Sequence, residues 1–279
     1  MRGRSSLTHA ILHMWPFTTG SDGTAAGKAA PRKLPMESVT GEQADAYRDK
    51  YMTAKLAEFK EACEERGNPD GCNSLAEWYL VIGKDAGKAR GIYDENCRRR
   101  NHGPSCLHLG FMHLTGAKGQ LEVNEPEAAK LFEKACRSKQ GGCERACHNA
   151  ALMILAGKGA AVGAPPAPQT DPDGPKPPLT RAQLNMAIDR LKRGCDAEFA
   201  PSCYRLGTLL LTEQRCKDAV APLQRGCDLG NPRACQNLAV LFHKGDGKGR
   251  QHVPPDAERF SDLSERTKVL LKENHMRAT

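Results

Sequence analysis

The chain has 279 residues, 39% of them hydrophobic and only 5% aromatic, with 41 basic against 33 acidic residues for a formal net charge of +8. So few aromatics exclude a large core built on aromatic clusters, and no apolar run reaches the roughly 18 residues that a spanning helix needs. The charge is spread out, its tightest basic cluster being Arg98-Arg99-Arg100, and no stretch interleaves aromatics with basic residues as a base-stacking platform does. Neither a transmembrane segment nor a nucleic-acid partner is expected.

Residues 1–40 are punctuated by Gly20, Gly23, Gly27, Pro31 and Pro35 and lack helical periodicity, which predicts an arm with little regular structure. Its start holds Arg2 and Arg4, several hydroxyl residues and no acid. The apolar stretch 10–17 is broken by His13 and Pro16, which makes a poor secretory core and fits a mitochondrial targeting segment better. From Gly41 the pattern changes. Ala44, Tyr47, Tyr51, Ala54, Leu56 and Phe59 fall at helical spacing, predicting an amphipathic opening helix that runs up to Cys63.

A repeat then begins. Ten of the twelve cysteines form five close pairs, Cys63/Cys72, Cys97/Cys106, Cys136/Cys147, Cys195/Cys203 and Cys227/Cys235, and a small-residue helix is expected to start just after each second cysteine. In the clearest unit, 107–114 reads as one helix, Thr115-Gly-Ala-Lys-Gly as the break, and Asn124-Glu-Pro-Glu as the start of a second helix ending at Cys136. In the last unit, Gly230 reads as a left-handed stop and Asn231 as the N-cap before Pro232. First cysteines recur at intervals of 34, 39, 59 and 32 residues. The long interval contains a Pro/Gly-rich insertion at 157–179. Two helices per 32–39 residues define an all-α architecture, an α-solenoid of about five repeats over 41–275.

Eight or nine residues across a helix corner can bring two Cα atoms within disulfide reach. A closed loop of about nine residues would stabilise each corner by roughly 2.6 kcal/mol in the chain-entropy model. Structural zinc is the alternative, but no C-x-x-C occurs. Disulfides imply an oxidising compartment. Without a secretory signal, that points to the mitochondrial intermembrane space.

The segments Asn124-Glu-Pro-Glu-Ala-Ala-Lys-Leu-Phe-Glu-Lys-Ala-Cys136 and Leu229-Gly-Asn-Pro-Arg-Ala-Cys235-Gln-Asn-Leu-Ala, with Gly245-Asp-Gly-Lys-Gly249 after them, resemble Sel-1-like repeats, relatives of the tetratricopeptide repeat. The ordered pair spacings of nine, nine, eleven, eight and eight resemble those of the family's cysteine-bridged mitochondrial members, over about 58–270. The resemblance implies a protein of the intermembrane space, imported through the disulfide relay. It would act in cytochrome c oxidase assembly by binding oxidase subunits or other assembly factors. It also implies a haem-binding, thiol-reducing role. Two other readings stay open: a permanent accessory subunit of the oxidase or of a respiratory supercomplex, and a thiol–disulfide oxidoreductase.

The candidate chemistry is sparse. Cys143 and Cys216 are left over as candidate free thiols, and basic neighbours (Arg145, or Arg215 and Lys217) would favour their thiolates if they were exposed. Cys143-Glu-Arg-Ala-Cys147-His148 is one residue longer than a c-type haem attachment pattern, and Cys147 is expected to be consumed by Cys136. Through the family match His148 is the single candidate haem ligand, with Met153 as a second contact. His102, His108 and His113 lack the spacing of a metal pair. No Ser/His/Asp set, P-loop or dinucleotide fingerprint appears, so a non-catalytic scaffold is expected.

Overall fold

In the computed structural model the described residues, 41–116, 121–138, 143–158 and 178–278, form eleven α-helices and no β-strand. The all-α expectation holds. The predicted arm 1–40 and residues 159–177 of the insertion lie outside the described residues.

Helix α1 (Gly41–Lys60) continues into a π turn, Glu61–Glu65. There come next α2 (Pro69–Val81), α3 (Ala86–Arg100), α4 (Gly103–Thr115), α5 (Glu125–Arg137), α6 (Cys143–Leu155), α7 (Arg181–Asp196), α8 (Ala200–Thr212), α9 (Cys216–Asp228), α10 (Pro232–Lys244) and α11 (Ala257–Ala278). The chain divides into two compact units after Arg48, and the helix hairpins all belong to the second, Asp49–Thr279. Five hairpins pack in sequence: α2/α3, α4/α5, α6/α7, α8/α9 and α10/α11. Each hairpin, with a first helix A and a second helix B, rests on the next through α3–α4, α5–α6, α7–α8 and α9–α10.

Local chemistry fixes where the A helices begin. Each starts about three residues before its second cysteine, not just after it as the sequence suggested. In three of the five the reason is capping: Asn68 accepts from the N–H groups of Asp70 and Gly71, the His102 ring from that of Ser105, and Asn231 from those of Arg233 and Ala234. Pro69, Pro104, Pro201 and Pro232 then occupy the first turn, where a missing N–H costs nothing. The cysteine is therefore carried inside the first turn. Gly230 is left-handed (φ +84°), the stop its sequence position predicts.

One register runs through every hairpin. The fourth residue after the second cysteine is small in each A helix: Ala76, Gly110, Ala151, Gly207 and Ala239. The fourth residue before the first cysteine is large and fully buried in the inner B helices: Tyr93, Phe132, Leu191 and Leu223. A Cβ on Gly110 would come within 2.7 Å of the Phe132 ring, so the small residue is what admits the large one. Four residues earlier, Ala89, Ala128, Ala187 and Ala219 are also fully buried. Two apolar clusters result, and α6 supplies both: Ala150 and Met153 to one, Ala151 and Ile154 to the other.

The two end B helices break this register. Lys55 in α1 and Arg259 in α11 stand where the inner helices carry the buried alanine. Lys55 pairs with Glu58 at 2.8 Å, and the Arg259 guanidinium lies 4.0 Å from the centre of the Phe242 ring. In α11 Leu263 holds the large position, but Arg266 and Thr267 replace the small residue and the cysteine. Arg266 folds back to the carbonyl oxygens of Cys227 and Asp228, both at 3.4 Å, closing the end of α9.

Candidate functional site

Each of the five close cysteine pairs forms a disulfide: Cys63–Cys72, Cys97–Cys106, Cys136–Cys147, Cys195–Cys203 and Cys227–Cys235, with Cα separations of 4.4–4.8 Å. Four of them join the B helix of one hairpin to the A helix of the next, and the first joins the end of α1 to α2. Approach this close needs small residues beside the sulfurs. Gly226 faces Ala234, and Gly194 faces Ser202 more tightly than any real Cβ would permit. At the second junction a polar pair replaces them. Asn96 Nδ2 donates to Ser105 Oγ (2.7 Å) and to the Pro69 carbonyl (2.8 Å), while His102 Nε2 meets Asp70 at 3.0 Å.

Arginines bridge successive B helices. Arg98 in α3 binds Glu127 in α5 (2.9 Å), Arg225 in α9 reaches the Asp196 carbonyl of α7 (3.2 Å), and Arg266 ties α11 to α9. These are exposed and individually weak. Between α5 and α7 the bridge is buried and bidentate: Arg190 Nε to Glu133 Oε2 at 2.8 Å and Nη2 to Oε1 at 2.6 Å. Arg137 adds a third bond to Glu133 at 2.7 Å, and Arg190 also contacts Asp189. Burial pushes the Glu133 carboxyl up, but the hydrogen bonds and charges of Arg190 and Arg137 hold it below its ordinary value. Beside this bridge lies a shallow notch lined by Asn101, Lys130, Glu133, Lys134 and Arg137.

On the A helices, the residues two and five places after each second cysteine share one face. They form two columns, Ser74, His108, Asn149, Arg205, Asn237 and Glu77, Phe111, Leu152, Thr208, Val240. Asn237 donates to Thr208 at 3.2 Å, so the columns adjoin across hairpins. Most of these side chains are half-buried, and Arg205 and Val240 are exposed. This face mixes apolar and hydrogen-bonding groups over all five repeats.

Several candidate site residues take quieter places. Cys216 is a free thiol, and it is buried. Burial, with the charge and hydrogen bond of Asp246, pushes that thiol up and away from the reactive thiolate. The basic neighbours Arg215 and Lys217 do not set its environment: Arg215 pairs with Asp218 at 2.8 Å. Cys143 opens α6, and its side chain lies outside the described residues.

His148 sits at the junction between the third and fourth hairpins. Its Nδ1 is 3.2 Å from Ser202 Oγ, and its ring meets Phe199 edge-on at 5.4 Å. Burial, aided by Arg205, pushes its imidazole down to about 4. Neutral imidazole can ligate iron. The surroundings do not fit a porphyrin, however: Ser202 is itself pressed against Gly194, and Met153 is buried in the core. His108 stacks on Tyr93 at 5.3 Å, and burial, with Arg145 and His102, pushes it down to about 4. Among the described residues no three His, Cys, Asp or Glu side chains gather as a metal site, and no helix is long and apolar enough to cross a membrane.

The Glu133–Arg190 bridge has no counterpart among the residues the sequence singled out. The two are 57 positions apart across the insertion, and nothing local marks them as partners.

A stack of helix hairpins stapled end to end by disulfides, with an extended mixed face along its A helices, is an α-solenoid. The Sel1 repeat family is matched by residues 103–139 and 232–259, which are α4/α5 and α10 with the start of α11, so these segments are similar to Sel1 repeats. It is similar to cytochrome c oxidase assembly factor 7A of Xenopus laevis, 28% identical over 227 residues that cover 80% of this chain and 88% of that one. It is also similar to cytochrome c oxidase assembly factor 7 of Homo sapiens, 30% identical over 149 residues, or 53% and 57% of the two chains. Among solved structures, a Sel1 repeat protein from Oxalobacter formigenes shares the fold, with a TM-score of 0.57, 17% identity and coverage of 81% and 80%.

Proposed function

We propose that the protein is a non-catalytic, protein-binding scaffold of the mitochondrial intermembrane space that acts in assembly of cytochrome c oxidase. The observation that carries this reading is the likeness to cytochrome c oxidase assembly factor 7A over 80% of the chain. That likeness runs over 227 residues, far more than a single hairpin, so it concerns the array more than any one repeat. Two features of the molecule support it. Five disulfides suit an oxidising compartment, and the A-helix columns offer side chains that can both bury apolar surface and accept hydrogen bonds. The burial of Cys216 beside Asp246 argues against a thiol enzyme working through that residue.

The test is made on the endogenous protein carrying an affinity tag. Its loss should lower assembled oxidase, and on native gels it should migrate with oxidase subunits or assembly intermediates, apart from the mature enzyme. Stoichiometric co-purification with intact oxidase would replace this reading with that of a permanent accessory subunit. Protease digestion should leave it intact in whole mitochondria and degrade it once the outer membrane is opened. Degradation only after the inner membrane is lysed would overturn the compartment.

A further inference from the structure

The five staples are unequal in their surroundings. Nine of the ten bonded cysteines are only 0–5% exposed, whereas Cys63 is half-buried. It lies in the π turn Glu61–Glu65, an element with no buried residue. The partner sulfur is also special. The Arg100 guanidinium, at the end of α3, reaches back to Cys72 Sγ at 2.7 Å. The first staple is also the one that does not hold two hairpins together. The other four bond hairpin to hairpin, so opening this one leaves the array stapled.

From this geometry we infer that Cys63–Cys72 is an exchange site, a disulfide that external thiols open selectively so as to release α1 from the first hairpin. A thiolate attacks the Sγ of Cys63, the more exposed residue of the pair, and forms a mixed disulfide there. The Cys63–Cys72 bond breaks and its electron pair leaves on Cys72 Sγ. Arg100 stabilises that thiolate, as does the first turn of α2 in which Cys72 sits, and a more stable leaving thiolate departs faster. A second external thiol attacks the outer sulfur of the mixed disulfide and frees Cys63. The sum is two thiols oxidised to one disulfide, with their two protons on Cys63 and Cys72. The approach is acidic. Glu61, Glu64 and Glu65 are all exposed; among the described residues Glu61 pairs with Arg66 at 3.4 Å, and Glu64 and Glu65 have no ion-pair partner. The site therefore selects neutral or cationic thiols, and in a cell a protein thiol flanked by basic residues.

The full-length oxidised protein is exposed to limiting cysteamine or to 3-mercaptopropionate, two small thiols of opposite charge. The reaction is quenched with an alkylating agent and the modified cysteines are mapped by peptide mass spectrometry. Cys63 and Cys72 should open about tenfold faster than any other pair, with cysteamine several-fold faster than 3-mercaptopropionate at low salt and the gap narrowing at high salt. Hydrogen exchange should then rise over residues 49–65 alone. Arg100→Gln should slow opening by about three- to tenfold without altering the order in which the other pairs react. Glu64→Gln with Glu65→Gln should raise the rate with 3-mercaptopropionate, which keeps the test decisive if the Arg100 variant folds poorly. Opening of another pair first, or of all five together, would overturn the inference.

Discussion

Replacing Arg190 with methionine should expose how much of the array's stability rests on one buried carboxylate. The substitution keeps an unbranched apolar stem and removes the guanidinium that holds Glu133, whose side chain is only 12% exposed. Orphaning a buried charge costs about 3–5 kcal/mol. Arg137 retains its bond to Glu133, so the expected loss is smaller, about 2–3 kcal/mol at pH 7. Adding Glu133→Leu removes the orphan and should return stability to within about 1 kcal/mol of the parent, because an apolar pair replaces an ion pair at little net cost. The pH dependence fixes the cause. The folded-state carboxyl of Glu133 is held below its unfolded value, so its contribution is present above about pH 4.5 and lost as pH falls below that. Urea denaturation of the oxidised proteins at pH 7 and pH 4 should therefore show the single-variant penalty shrinking at pH 4, where the carboxyl orphaned by the loss of Arg190 can take a proton. Histidine titration acts on parent and variant alike and cancels in the difference. A penalty below about 0.5 kcal/mol at pH 7, or one that persists unchanged at pH 4, would refute the reasoning.

Two glycines in helices should respond in opposite directions. Gly91→Ala, in α3 with nothing within 4 Å of the new methyl, should gain about 0.5–1 kcal/mol, whereas Gly207→Ala drives a methyl into Leu223 and should lose about 1–3 kcal/mol, both read from urea midpoints. Glu198 holds a left-handed backbone (φ +61°) at a corner where the last hairpin uses Gly230. Glu198→Gly should raise the melting temperature by a few degrees, since the pair with Arg225 at 3.8 Å is exposed and contributes little. His108 and His148, both pushed down to about 4 by burial, stay neutral in the fold while the unfolded chain takes up protons near pH 6.5. Stability should accordingly fall as pH drops from 6.5 to 4, by about 2–3 kcal/mol for each ring, and NMR should show neither imidazole titrating above pH 6.

What could be read in the sequence was what repeats locally. Cysteine spacing, the Gly-Asn-Pro corner at Gly230 and the Asn124 cap each lie within one turn of the element they define, so the hairpins and their staples were legible. The starts of the A helices were misplaced because the cap, not the cysteine, sets them: Asn68 and Asn231 already close the first turn before the sulfur arrives. Glu133–Arg190 was invisible for a different reason. Its partners are brought together by α6 packing between them, a relation no local pattern encodes. His148 matched a family histidine by position, yet Ser202 and Phe199, more than 50 residues away, decide what its ring can do. The alanine register eight residues before four of the five first cysteines was present in the sequence all along. It became interpretable once Phe132 and Gly110 showed which faces meet.

The ends of the array carry a rule for how such a molecule can change its length. Every inner hairpin presents a cysteine at both of its borders, beside a small residue at all but the Asn96 junction, so a duplicated copy inserted between two others would meet partners of the same kind. At the C-terminal border Arg266 and Thr267 offer neither a small residue nor a sulfur, and Arg266 is already bonded to the end of α9. A hairpin appended there would lack the small residue and the sulfur that seat each inner one. Lineages of this protein should therefore gain or lose repeats from the middle, like links in a chain whose final clasp is fixed.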